Sequence, residues 1–106
     1  VSTLTFRDFT FRASHHLPMR FGAAACPHWH TYTVRLWFSG APDQDGLSDS
    51  LAVRFKHLHG CLLNSIVHPE STDEALAEWF LANLAENKCV RVTVTNDGQR
   101  GAEATL

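Results

Sequence analysis

The chain has no long hydrophobic run: nothing in its 106 residues approaches the ~20 consecutive apolar residues of a membrane span. It opens on alternating polar and apolar residues with no apolar h-region, so no membrane insertion is expected and a reducing cytoplasm is the expected location. A basic excess is missing as well. Nine Lys and Arg stand against 11 Asp and Glu, a formal net charge of −2, which leaves no positive field to hold nucleic acid or an anionic membrane. Cysteine is scarce. Cys26, Cys61 and Cys89 are odd in number, lack a compact disulfide-like spacing and form no Cys-x-x-Cys pair. That excludes a disulfide framework and a cysteine-rich structural zinc site. No internal repeat, low-complexity tract or linker interrupts the chain, and residues 1–106 read as a single domain.

What is present is an ordinary globular composition, 44% hydrophobic and 19% charged, with one oddity: seven histidines. Shared titration near about pH 6.5 would turn the net charge positive, but a metal site is the sharper explanation. A chain this short buries only about two-thirds of its surface. Association with further copies through unpaired strands would therefore help it.

The patterning predicts two helices between two pairs of strands. From Thr5 to His15 the odd positions include Phe9, Phe11, Ala13 and His15, while the even ones are more polar apart from Phe6, the mark of a half-buried strand. Residues 18–27 read as a loop. His28, His30, Tyr32, Val34, Leu36 and Phe38 then share one face of a second strand, opposite Trp29, Thr31, Thr33 and Arg35. Ser39-Gly40 and Pro42-Asp43 end it, and Asp45-Gly46 marks a turn. Leu51, Phe55, Leu58 and Leu62 fall at helical spacing over residues 48–64, with Gly60 weakening that helix by up to about 1 kcal/mol. Ser71-Thr72-Asp73-Glu74 can form a capping box ahead of the stripe Leu76, Trp79, Phe80 and Leu84. Val90, Val92 and Val94 give a third strand ended by Asn96-Asp97-Gly98, and the tail from Gly101 supplies a short fourth. The order ββααββ indicates an α+β fold, with both helices on one face of an antiparallel sheet.

Residues two apart on a strand point the same way, so His28 and His30 project together at the start of the apolar face. His15 closes the inward face of the first strand. If the two strands pair as a hairpin across the 18–27 loop, the three imidazoles converge. Three neutral imidazoles with an open fourth position is the arrangement of catalytic Zn2+, a Lewis acid. A single inward His is more often a hydrogen-bonded core residue; the independently placed third one brings the metal reading level with it.

Two stretches also resemble a known family. Phe9-Thr-Phe-Arg-Ala-Ser-His15-His-Leu17 fits a strand motif, and Cys26-Pro-His28-Trp-His30-Thr-Tyr32 a loop-strand motif, of 6-pyruvoyltetrahydropterin synthase and its relative, 6-carboxytetrahydropterin synthase of queuosine biosynthesis. Ser39-Gly40, Asp49, Leu63-Asn64, Pro69, Thr72, Glu74 and Trp79 fit in the same order. The resemblance implies the tunnelling fold (T-fold), whose subunits join sheets into a barrel, commonly as a homohexamer with sites between subunits. It implies His15, His28 and His30 as zinc ligands and a lyase acting on 7,8-dihydroneopterin triphosphate. Zinc would acidify a C–H next to the side-chain hydroxyls and a cysteine thiolate would take protons, a role that falls on Cys26. Thr72 and Glu74 match substrate-contacting positions, though helix capping accounts for them equally.

The chain departs from this pattern in places. The loop from Cys26 to His28 is shorter than in the family, and Trp29 replaces a glycine. The family's Asp-His proton relay falls on His59 and Gly60, so His59, displaced by one position, is the relay candidate; as exposed helix residues, His57 and His59 need no such role. Val94 stands where a glutamate would grip the pterin with two directional hydrogen bonds, and Glu103 lies beyond a turn. Two other readings use the same histidines: a zinc-binding relative that has lost the full reaction and binds a different small molecule or partners a complete paralogue, and a zinc hydrolase.

Overall fold

A computed structural model describes residues 3–19, 22–40, 44–67 and 70–106. Six main elements follow in the order β1 (Leu4–His15), β2 (His28–Ser39), α1 (Gln44–Phe55), α2 (Asp73–Leu84), β3 (Cys89–Asn96) and β4 (Arg100–Thr105). The four strands form one antiparallel sheet in sequence order. The expected ββααββ architecture is the observed one.

Alternation of side chains explains the layering. On β2, Tyr32, Val34, Leu36 and Phe38 are fully buried, as are Val92 and Val94 on β3, while Trp29 and Phe6 on the opposite face are half exposed. A shift in register between Trp37 and Phe38 sets Phe38 against Cys89, so both turn into the core. Phe9 and Phe55 stack at 5.9 Å, and Phe80 meets them edge-on at 5.6 and 5.3 Å. Such pairs add roughly 0.5–1.5 kcal/mol each beyond area burial.

The second helix begins where its cap demands. Thr72 Oγ1 accepts the Ala75 N–H at 3.1 Å. Leu76, Phe80 and Leu84 then bury one stripe, with Trp79 at its margin, and the helix lies across β3 and β4.

The first helix differs from its expectation at both ends. It starts at Gln44 and runs through Asp45-Gly46, which are not a turn. It stops at Phe55, followed by a 3-10 turn over Lys56–Leu58. The chain is extended at His59, and Gly60 then adopts a left-handed φ of +82°, a conformation open to glycine at little cost. The reversed chain then meets β1: Gly60 N–H donates to the Arg12 carbonyl at 2.7 Å and Ser14 N–H to the Cys61 carbonyl at 2.9 Å. Leu62 consequently leaves the expected helical stripe and is 39% exposed. The Pro42-Asp43 break and Pro69 lie outside the described residues.

Candidate metal centre

The β1–β2 hairpin sets His15 opposite His28 and Ala13 opposite His30. Three imidazoles therefore meet on the inward face at one end of the sheet. Their ring centroids are 4.5 Å (His15–His28), 5.0 Å (His15–His30) and 4.8 Å (His28–His30) apart, each pair close to edge-on. One nitrogen from each lies within 4.8 Å of the other two. Strand periodicity predicts this convergence, and the register delivers it.

Each ring has its other nitrogen engaged. His15 Nδ1 donates to the Ser71 carbonyl at 2.8 Å, His28 Nδ1 to the Cys26 carbonyl at 2.8 Å, and His30 Nδ1 to Asp97 Oδ2 at 2.6 Å. A proton on Nδ1 leaves the Nε2 lone pair as the donor to a metal, so all three rings take the same tautomer. Nε2 of His30 is buried without a protein partner. Burial pushes the His15 pKa down and the two neighbouring imidazoles push it further, against the Ser71 carbonyl, which raises it. His15 is thus held neutral, as a ligand must be. Three neutral nitrogen donors, each oriented from behind, fit a borderline-soft dication such as zinc.

The supporting atoms come from places that sequence reasoning missed. Buried Asn64 holds the end of β1 through both backbone groups of His16, accepting its N–H at 2.9 Å and donating to its carbonyl at 2.8 Å. It also accepts the Ser71 hydroxyl at 3.0 Å, which sets the carbonyl that orients His15. Leu63-Asn64 is visible in the sequence as part of the family resemblance and Asn96-Asp97-Gly98 as the end of a strand, but neither reading points to these contacts.

The remaining candidates are spread more widely. Cys26 is exposed in the loop before β2 and touches the cluster through its backbone carbonyl. His59 is exposed, and its Nδ1 accepts the Arg12 N–H at 3.2 Å; among the described contacts none joins it to the three histidines. Thr72 caps α2, directly after the Ser71 carbonyl. Glu74 is exposed in the first turn and lines a cleft of about 430 Å³ beside β4. Val94 is fully buried in the core. A cleft of about 440 Å³ between β1 and α1 is lined by His59 but not by His15, His28 or His30.

Residues 4–105 match the family profile of 6-pyruvoyl tetrahydropterin synthase. The chain belongs to the 6-pyruvoyl tetrahydropterin synthase family. Its fold is that of the Caenorhabditis elegans 6-pyruvoyl tetrahydropterin synthase structure, with a TM-score of 0.80 at 16% identity, over 100% of this chain and 96% of that one. No curated protein matches the chain in sequence. The tunnelling fold expected from the histidine motifs is therefore present in this member of the synthase family. At 16% identity the structural likeness speaks for the fold, and the synthase chemistry has to be argued from this chain's own residues.

Proposed function

We propose that the chain is a zinc-dependent lyase of the pterin synthase type, acting on 7,8-dihydroneopterin triphosphate or a close analogue with loss of triphosphate. The observation that carries this is the trio His15, His28 and His30, with every Nδ1 engaged from behind and the other nitrogens converging. These three residues would hold the ion. Bound there, zinc supplies Lewis acidity toward the substrate's side-chain hydroxyls.

The chain's own groups do the rest. Cys26 is the candidate base: its thiolate takes a proton from the carbon beside a hydroxyl, and triphosphate departs with the electron pair of its C–O bond. The exposed thiol and the carbonyl contact to His28 support that role. His59 is proposed as the relay, and Thr72 and Glu74 as substrate contacts. Thr72 directly follows the Ser71 carbonyl that orients His15, whereas no described contact joins His59 or Glu74 to the histidines in one chain, which accords with a site completed by another copy.

Association is part of the proposal. β1 and β4 are the two edges of the sheet. The cleft along β1 is rimmed by Arg7, Lys56 and His59, with Asp8 there paired to Arg35, and the cleft along β4 by Glu74 and Glu78, with Glu103 there paired to Arg91. Basic and acidic rims on opposite edges favour head-to-tail pairing into a closed ring, in keeping with a homohexameric, cytoplasmic synthase.

Incubating zinc-loaded protein with dihydroneopterin triphosphate and assaying triphosphate release tests the reading. Release is expected, and its loss in Cys26→Ala is expected with it. Stoichiometric zinc without release would refute the lyase and favour the second reading, a zinc-binding relative without the full reaction. Buried Val94 at the place of the family's pterin-gripping glutamate is the observation that favours that alternative.

A further inference from the structure

Among the described contacts, the β3–β4 hairpin reaches the histidine cluster through a single residue, Asp97. Asp97 and Gly98 occupy the turn with φ of +52° and +70°, the pair of left-handed conformations that a tight hairpin of this hand uses. Glycine adopts such angles freely, but a non-glycine residue there is uncommon. Asp97 sits in it with its N–H and both carboxylate oxygens engaged by β2. Its N–H donates to the Thr31 carbonyl at 2.8 Å, its Oδ1 accepts the Thr31 N–H at 2.7 Å, and its Oδ2 accepts His30 Nδ1–H at 2.6 Å. The turn thereby continues the β2–β3 ladder one step beyond the Tyr32–Asn96 pair.

Asp97 differs from the other two supports. His15 and His28 donate to neutral carbonyls, whereas His30 donates to a carboxylate. A carboxylate behind an imidazole makes the far nitrogen a stronger donor and fixes the ring's rotation. It also places one negative charge against a centre otherwise made of neutral ligands.

We propose that Asp97 is a positioning residue of the metal centre, setting the orientation and donor strength of His30 from the β3–β4 turn. This rests on the reading of His15, His28 and His30 as zinc ligands. The turn is thus as much a part of the site as the histidine strands.

Asp97→Asn and Asp97→Gly separate this role from hairpin formation, because Asn-Gly and Gly-Gly both suit the turn. Zinc affinity would be measured by chelator competition, with the visible absorption of the cobalt-substituted protein as a second readout and circular dichroism of the metal-free protein as the fold control. Zinc binding is expected to weaken by about 10-fold in Asp97→Asn and up to about 100-fold in Asp97→Gly, with an altered cobalt spectrum and an unchanged metal-free fold. Unchanged affinity in either folded variant overturns the proposal. Should Asp97→Gly fail to fold, Asp97→Asn decides alone. A wild-type chain that binds no zinc would overturn the histidine reading together with this one, whereas zinc-binding wild type beside an unaffected variant overturns only the role of Asp97.

Discussion

The Ser71 carbonyl stands 2.8 Å from His15 Nδ1, one residue before the cap of α2. The innermost histidine of the sheet is therefore oriented by the segment that starts a helix. Thr72 fixes that start by accepting the Ala75 N–H, so the Thr72→Ala variant should lose about 1 kcal/mol of stability. In a domain of this size that is a fall in Tm of roughly 4–8 °C. Thermal unfolding of the metal-free protein checks it, and an unmoved Tm would show that the cap carries no weight.

Thiol labelling tests the placement of Cys26. Cys89 is buried and Cys61 half-buried, and burial pushes both thiols above the ordinary range. Both thus stay protonated and unreactive at neutral pH, and Cys61 gains thiolate only as the solution becomes distinctly alkaline. Exposed Cys26 should alkylate first at neutral pH, Cys61 should follow as pH rises, and Cys89 should react only on unfolding. Mass mapping of iodoacetamide adducts against pH reads this order. Equal rates for Cys26 and Cys89 in the native protein would contradict it.

Gly101 is needed for steric reasons rather than for its backbone angles. A Cβ placed there would collide with the Val94 carbonyl oxygen, inside the β3–β4 ladder. Gly101→Ala must push the two strands apart, at a cost of about 1–3 kcal/mol. Urea unfolding measures the loss, and faster amide exchange along β4 would locate it. A variant as stable as the wild type would mean that β4 does not pack this closely.

The histidine trio was legible because strand geometry is local: a period of two places His28 and His30 together, and the hairpin needs only a connection to bring His15. A cap at Ser71-Thr72-Asp73-Glu74 was legible for the same reason, although the capping residue is Thr72, through the Ala75 N–H, rather than Ser71 in a box with Glu74. What was hidden depends on register and on chain reversal. Asn64, Ser71 and Asp97 act through partners 48, 56 and 67 residues away in sequence, and no periodicity encodes such pairings. Gly60 reads as a modest helix penalty by propensity, yet the helix ends before it and its left-handed φ lies in the turn that sends the next segment alongside β1. Asp45-Gly46 reads as a turn by composition, yet the helix begins before it. Tertiary context overrode propensity at both places.

The account turns on His15, His28 and His30 binding zinc as a set. The most direct measurement is the zinc content and affinity of the metal-exchanged wild-type chain beside His28→Ala, by calorimetry and elemental analysis on folded protein. One zinc per chain is predicted for the wild type, and its loss in His28→Ala with the fold retained. Zinc bound equally by both, or by neither, would contradict the ligand assignment.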